Sequence, residues 1–147
     1  MYQRILVATD GSTLSKKAVS SAIELAGLVG AELVALKVVP RYPHSYFDGS
    51  VPLSPQEMAR VEKQWSEHGQ AVVDAVKTTA LAKGVAVRAV TSKSDLVAEA
   101  VIAAAKKYKC DLIVMASHGR RGIKRLLLGS ETQHVLTHSH IPVLVLR

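Results

Sequence analysis

The sequence predicts an α/β fold in which an open parallel sheet carries helices on both faces. Five short apolar runs alternate with segments of helical periodicity along the chain. The runs are continuous rather than alternating in polarity, as expected for strands buried on two faces. Glycine or proline ends several of these segments, among them the positions Gly30, Pro40 and Gly84. Strands that alternate with helices in this way form parallel sheets with right-handed crossovers.

The elements are expected in regular order along the chain. The predicted strands cover residues 4–9, 32–39, 85–90, 112–115 and 143–146. The predicted helices begin at Thr13, Ser54, Asp95 and Glu131. Apolar residues at helical spacing define the expected inner faces of the first three helices: Val19, Ala22, Ile23, Ala26 and Val29; Met58, Val61, Trp65, Val72, Val76 and Thr79; Val97, Ala100, Val101 and Ala104.

Two helix starts carry capping signals. Ser54 is followed by Pro55 and Glu57, which places a cap, a first-turn proline and a third-position glutamate in register. Ser130 with Gln133 fits the same capping-box pattern, so its hydroxyl is a candidate helix cap. Between the second strand and Ser54, residues 40–53 hold three prolines and no regular pattern, which predicts a long irregular loop that is either functional or disordered.

Composition sets the outer bounds on the function. We expect the 147 residues to form one domain, with 48% hydrophobic residues to build its core. The single cysteine, Cys110, excludes an internal disulfide and fits a reducing compartment. The sequence contains no apolar run of transmembrane length and no signal-peptide pattern, so a cytoplasmic protein without membrane insertion is expected.

The formal charge of +7 suggests anionic partners. Nucleic acid is one such partner, but aromatic residues make up only 4% of the chain and offer no stacking platform. A basic surface that only keeps the protein in solution explains the same charge. A nucleic-acid-binding module is therefore the least favoured interpretation.

A basic, glycine-punctuated loop follows the fourth apolar run. It extends from Ala116 to Ser130, and a helical pattern begins at its end. Glycine lets backbone N–H groups approach a ligand closely, and a helix N-terminus presents free donors and a partial positive charge. The loop therefore suits an anion such as a phosphate. Dinucleotide-binding and Walker-type glycine motifs are absent.

The first predicted strand also ends in polar residues, Thr9 to Ser12. In open parallel sheets, ligands bind beyond the carboxyl ends of the strands at the point where the strand order reverses. If the first and fourth strands are neighbours there, Asp10 and the glycine loop share one crevice. This inference depends on the strand order, which the residues alone leave open.

The chain resembles the universal stress protein family over essentially its whole length. The resemblance is carried by residues 5–12, 111–119 and 126–130, and by the closing Ile141 to Val145. The ATP-binding branch of that family has a glycine, two residues, a second glycine, nine residues, and then Gly-Ser or Gly-Thr. Gly119, Gly129 and Ser130 match the second part of this pattern, whereas Ala116 replaces the first glycine.

The resemblance implies a sheet of order 3-2-1-4-5 and an ATP site with bridging Mg or Mn. It places Asp10 beside the nucleoside, the backbone of Val38 at the adenine, and Ala8 and Thr9 in the pocket wall. The remaining implied nucleotide-binding residues surround the ribose and phosphates: Met115, Ala116, Ser117, His118, Gly119, Arg120, Gly129, Ser130, Glu131 and Thr132. It also implies a dimeric stress sensor or regulator, whose protein partner the sequence does not identify. In the order 3-2-1-4-5 the last strand is an apolar sheet edge, which predicts a homodimer through antiparallel pairing of this strand.

Several residues have alternative explanations. Asp10 could cap the first helix or a turn, and Ala116 is harmless if its φ is negative and the ligand passes beside it. His134, His138 and His140 cluster in sequence, but a helix break between them disfavours a metal site. His118 has no nucleophile or carboxylate at a recognisable catalytic spacing, so dedicated catalysis is not expected, although slow ATP hydrolysis stays open. A dimeric stress protein that binds no nucleotide is the main alternative.

Overall fold

A computed structural model describes residues 1–41, 54–119 and 128–147. Strands and helices alternate through these ranges. The strands are β1 (Arg4–Ala8), β2 (Glu32–Val39), β3 (Val87–Lys93), β4 (Leu112–Ala116) and β5 (Val143–Leu146). The helices are α1 (Thr13–Val29), α2 (Pro55–Ala82), α3 (Val97–Lys107) and α4 (Ser130–His138). No helix among the described residues combines the length and apolar character that a membrane span requires.

The five strands form one parallel sheet of order β3-β2-β1-β4-β5, which confirms the predicted fold and strand order. The central strand β1 pairs on one side with β2 and on the other with β4, so that Leu6 lies opposite both Val34 and Ile113. From β1 the chain first adds β2 and β3 on one side of the sheet, and it then adds β4 and β5 on the other side of β1. The carboxyl ends of β1 and β4 are therefore neighbours at the switch point.

Each face of the sheet is covered by two helices with its own apolar core. On one face, α1 and α2 pack against side chains such as Ile5, Leu33 and Val114. On the other face, α3 and α4 pack against their strand neighbours, including Leu6 and Ile113. Since successive strand residues point to opposite faces, burial on both sides requires the continuous apolar runs seen in the sequence.

Three predicted helix boundaries are confirmed by the structure. The Ser12 hydroxyl accepts from the Ser15 N–H at the start of α1, and Gly30 ends that helix with φ 73°. At the start of α2, Ser54 and Glu57 form the predicted reciprocal capping box. These caps satisfy amide groups that the first turn of a helix leaves without partners.

The third strand begins later than its apolar run suggested. We expected residues 85–90, but β3 spans Val87–Lys93. The Val85 N–H donates to the Ala80 carbonyl and closes the end of α2, so this residue is not available to the strand. The strand extends through polar Thr91 and Ser92 because it lies at the sheet edge, where polar side chains reach solvent.

The predicted start of α3 at Asp95 is wrong. The Asp95 carboxylate accepts from the Arg41 backbone N–H and does not cap the helix. Leu96 occupies the N-cap position without a side-chain cap bond, and α3 starts at Val97. Val97 was expected to face inward but is 39% exposed, whereas the neighbouring Ala98 is buried.

The inner face of α2 also differs from the apolar pattern. Its buried residues are Gly69, Val73, Val76 and Ala80, so Val76 alone was predicted correctly as fully buried. A Cβ at Gly69 would stand 2.6 Å from a methyl group of Val39, which shows how closely the helix approaches β2 there. Trp65 is only half-buried and Thr79 is exposed, contrary to the prediction.

Candidate functional site

The turn after β1 is held rigidly by its own side chains. The buried Thr9 hydroxyl lies 3.0 Å from the Ser15 Oγ and accepts from the Gly11 N–H. The Asp10 Oδ1 accepts from the Ser12 N–H at 2.9 Å, and Gly11 takes φ 80°. Asp10 therefore closes the turn, and Ser12 rather than Asp10 caps α1. The Asp10 carboxylate is fixed at the carboxyl end of the central strand.

Ser117 joins three elements at the end of β4. Its N–H donates to the Leu146 carbonyl at 2.7 Å, which continues the pairing with β5. Its own carbonyl accepts from the Gly129 N–H at 2.8 Å and from the Thr132 Oγ1 at 3.2 Å. The Thr132 hydroxyl also donates to the Ala116 carbonyl. These bonds fix the start of α4 against the end of β4.

The side chain of Ser117 is buried and lies 2.9 Å from the Nδ1 of His118. This contact orients the half-buried imidazole beside the glycine loop. Because the Ser117 hydroxyl is buried, the pair does not present an accessible nucleophile. The contact with Ser117 instead positions the His118 ring.

The two matched glycines of the loop lie at points of close approach. A Cβ at Gly119 would stand 2.9 Å from the Asp10 Oδ2. A Cβ at Gly129 would stand 3.2 Å from the Ser117 carbonyl oxygen and 3.6 Å from the His118 Cα. The structure thus brings Asp10 next to Gly119, as their positions after neighbouring strands predicted.

The capping box expected at Ser130 is not formed. Gly129 is the N-cap of α4, and Ser130 is its first helical residue. The Gln133 side-chain amide donates instead to the Leu128 carbonyl. The amides of the first turn, residues 130–132, have no acceptor one turn earlier within the helix and can bind an anion. The Thr132 hydroxyl is already engaged, so only its amide is available to a ligand.

Three other residues that were predicted at the site belong to the hydrophobic core or pack against it. Val38 and Met115 are buried in the core on the α3–α4 face, and Ala8 packs against the same core. Sequence reasoning missed Lys37, whose Nζ donates to the Val38 carbonyl at 2.8 Å. The sequence feature that could have indicated this contact is a single lysine within an apolar strand. A carbonyl oxygen has a second lone pair, so Val38 retains an acceptor.

Ala116 fits its position without backbone strain. Among the described residues, Lys109 alone combines a side chain with a positive φ, so the φ of Ala116 is negative. Its side chain is part of the core on the α1–α2 face. The negative φ meets one of the two conditions for tolerance, and the path of the ligand beside Ala116 stays a prediction.

The described part of the chain contains no group of three His, Cys, Asp or Glu side chains placed to hold a metal ion. His134 and His138 stack with ring centroids 4.3 Å apart. Arg120 and the other basic residues of the loop up to residue 127 lie outside the described residues. The same holds for most of the long loop after β2, residues 42–53.

The fold is that of an α/β protein with a parallel sheet, in which Asp10 and Gly119 meet at the switch point. The family model of the universal stress protein family matches residues 1–147, and the chain belongs to this family. It is 34% identical to a universal stress protein of Methanocaldococcus jannaschii over all of this chain and 83% of that protein. It is 31% identical to the universal stress protein YxiE of Bacillus subtilis over the full length of both.

Solved structures show the same fold. The universal stress protein UspA of Lactobacillus plantarum matches with a TM-score of 0.83 at 23% identity, over 99% of this chain and 98% of that one. A universal stress protein solved in complex with cAMP has a TM-score of 0.72 at 24% identity, over 99% and 97%. A family member of Arabidopsis thaliana with AMP bound has a TM-score of 0.69 at 17% identity, over 98% and 90%.

Proposed function

We propose that this protein binds ATP in the crevice between the carboxyl ends of β1 and β4. The observation that carries the proposal is the paired close approach of Gly119 to Asp10 and of Gly129 to Ser117. At both points a side chain would meet a carboxylate or backbone atoms. Gly119 is thereby held next to a carboxylate, and Gly129 is held at the N-terminus of α4.

The nucleoside binds at the β1 side of this crevice. Ser12 holds the Oδ1 of Asp10, and this fixes a carboxylate that can accept hydrogen bonds from two ribose hydroxyls. Ala8 and Thr9 form the neighbouring wall, and the backbone of Val38 meets the adenine. The Thr9 hydroxyl is engaged with Ser15 and contributes shape rather than a ligand bond.

The phosphates bind at the β4 side. The amides of residues 130–132 point from the start of α4, and Gly129 brings this helix against the Ser117 carbonyl. Ser117, His118 and Gly119 surround the ribose and the first phosphate. A bridging Mg or Mn ion neutralises phosphate charge that backbone dipoles alone cannot. Universal stress proteins solved with cAMP and with AMP support an adenine nucleotide as the ligand class.

The protein acts as a binding protein rather than a dedicated enzyme, since its Ser117–His118 pair has a buried hydroxyl. In this proposal it is a cytoplasmic homodimer, assembled through β5, that senses or regulates a stress response. Its downstream partner is a protein that the site does not identify. Nucleotide occupancy is the signal that this partner reads.

Titration calorimetry with ATP, ADP and AMP in the presence of Mg or Mn tests the proposal. Binding is expected to weaken in that order. Asp10→Ala removes a charge-assisted hydrogen bond of about 1.5–3 kcal/mol, which corresponds to roughly ten- to a hundredfold in affinity. Gly129→Val should block phosphate binding, because a side chain at this position would crowd the Ser117 carbonyl oxygen and the start of α4. Asp74→Ala, an exposed carboxylate on α2, is the matched control and should bind as the wild type does.

Absence of binding at millimolar ATP with either cation would contradict the proposal and favour the nucleotide-free dimer. If Ala116→Gly then restored binding, the methyl group would be the cause. Mass spectrometry of small molecules released from the denatured protein gives an independent answer. An adenine nucleotide that copurifies with the wild type but not with Gly129→Val would support the crevice as its site.

A further inference from the structure

Two histidine side chains stack on the surface of α4. The ring centroids of His134 and His138 lie 4.3 Å apart, and the angle between the ring planes is 17°. The two residues are four positions apart in one helix, so they project from the same face at successive turns. His138 is exposed and His134 is half-buried, so both rings can be reached from solvent.

The helix break that the sequence indicated falls after this pair. Helix α4 ends at His138, and Ser139 is its C-cap. His140 therefore lies beyond the helix, whereas His134 and His138 share one continuous helical segment. The break disfavours a site of three histidines and leaves a site of two histidines intact.

The stacked imidazoles are close to the arrangement that a chelated metal ion requires. A bond from a zinc ion to an imidazole nitrogen is about 2.0–2.1 Å long, so two nitrogens on one tetrahedral ion stand about 3.3 Å apart. Nearly parallel rings with centroids 4.3 Å apart need only small side-chain rotations to bring one nitrogen from each to this separation. The helix holds the two side chains in register before the ion arrives.

The surroundings of His134 favour a cation. His134 lines a cavity between the starts of α3 and α4, together with the side chains of Asp95, Glu99 and Glu131. These carboxylates attract a divalent ion through their charge. In the part of the chain that the structure describes, no three His, Cys, Asp or Glu side chains are placed to hold one ion, so the carboxylates act at a distance and are not ligands.

We propose that His134 and His138 form a surface site for a divalent transition-metal ion. The two imidazoles are its protein ligands, and water completes the coordination shell. Imidazole suits Zn²⁺, Ni²⁺ and Cu²⁺, whereas Mg²⁺ and Ca²⁺ prefer oxygen ligands. Cu²⁺ should bind more tightly than Ni²⁺ or Zn²⁺, as expected for nitrogen ligands. The site is independent of the proposed nucleotide site, where the cation is bound to phosphates.

Metal binding at this pair should stabilise α4. An ion held from two successive turns requires those turns to be folded, so binding free energy contributes to the stability of the helix. Helix α4 has nine residues, and a helix this short depends on contacts beyond its own backbone. Hydrogen exchange of the backbone amides in the last turns of α4 should therefore slow when Cu²⁺ is added.

Calorimetry with Cu²⁺, Ni²⁺ and Zn²⁺ tests the site on the full chain without nucleotide, in a buffer that does not bind metal ions. His134→Gln and His138→Gln should each lower the affinity for Cu²⁺ by about a hundredfold, because a single imidazole lacks the second, intramolecular bond. Mg²⁺ should produce no binding heat that either substitution removes. Circular dichroism checks that each variant is folded.

His140→Gln and His68→Gln are the matched controls, since both histidines are exposed and lie outside the pair. Both variants should keep the wild-type affinity for Cu²⁺. The double change Leu136→His with His138→Leu keeps the composition and moves the second imidazole to a different face of α4. It should bind Cu²⁺ as weakly as the single variants do.

Modification by diethyl pyrocarbonate, followed by mass spectrometry, provides a readout on the wild type itself. Cu²⁺ should protect His134 and His138 from the reagent and leave His68 reactive. The inference is overturned if Cu²⁺ protects neither residue of the pair, or if both single substitutions change the affinity by less than about threefold. It is also overturned if either control variant loses as much affinity as they do. None of these outcomes bears on ATP binding, which uses other residues.

Discussion

The Asp10 carboxylate and the backbone of Gly119 lie so close that a Cβ at position 119 would stand 2.9 Å from Oδ2. These residues follow two different strands, β1 and β4, and meet only because the strands are neighbours in the sheet. The Ser12 N–H holds the other carboxylate oxygen at 2.9 Å and limits the retreat of Asp10. Asp10 thus explains why position 119 carries no side chain.

Gly119→Ala is therefore expected to displace the Asp10 carboxylate and to weaken ATP binding by roughly tenfold, the loss of about one good hydrogen bond. Stability should fall little, since Gly119 is exposed. Calorimetry and thermal denaturation measure the two effects. In an Asp10→Ala background the same substitution should cost no further affinity, because the two changes act through one contact.

Gly30→Ala provides the control for Gly119→Ala. Gly30 ends α1 with φ 73°, and no described atom lies within 4 Å of its Cβ position. Alanine there should lower stability by about 1 kcal/mol through backbone strain and leave ATP affinity unchanged. Equal effects of both substitutions on affinity would show that the Asp10 contact plays no special part.

Much of this arrangement follows from the sequence for physical reasons. Strands buried on two faces need continuous apolar runs, so their positions along the chain can be predicted from the sequence. Polar and glycine residues at the ends of β1 and β4 mark the ligand edge of a parallel sheet. The meeting of Asp10 with Gly119 required the strand order, which the family resemblance supplied and the sheet confirms.

Contacts between distant segments decided what the sequence did not predict. Ser130 and Gln133 match a capping box, yet the bond from Gly129 to the Ser117 carbonyl fixes the chain so that the helix begins with Gly129 as its cap. The Lys37 contact with Val38 and the burial of Gly69 against Val39 likewise depend on packing. Local periodicity carries no information about these contacts.

The buried thiol of Cys110 makes stability depend on pH in the alkaline range. Cys110 is 6% exposed, and burial raises the pKa of its thiol from 9.0 to about 11. Above pH 9 the unfolded chain loses this proton and the folded chain retains it, so rising pH favours unfolding. The contribution at pH 10.5 is a loss of roughly 2 kcal/mol of unfolding free energy relative to pH 8.

Urea denaturation at both pH values, compared between the wild type and Cys110→Ala, isolates this loss from the titration of lysines and tyrosines. The variant should show the smaller decrease of the two proteins. Reaction of the thiol with a disulfide reagent at pH 8 should be slow in buffer and fast in urea. Equal pH dependence of both proteins would mean that the thiol ionises freely in the folded state.

The last strand is the basis for the proposed homodimer. Within the described residues β5 pairs with β4 alone, and its Leu144 is 39% exposed. An apolar edge strand with free backbone groups favours pairing with a second copy of itself. Leu144→Lys places a charge at this edge and should shift a dimer towards monomer at micromolar concentration in analytical ultracentrifugation.

Leu28→Lys serves as the control for the dimer, since Leu28 is 79% exposed near the C-terminal end of α1. It introduces the same charge and should leave the assembly intact. Val145→Lys provides a second change within the strand, because one exposed side chain alone can tolerate a lysine by extending it into solvent. A wild type that is monomeric at this concentration, or a dimer that survives both strand substitutions, would place any interface elsewhere on the molecule.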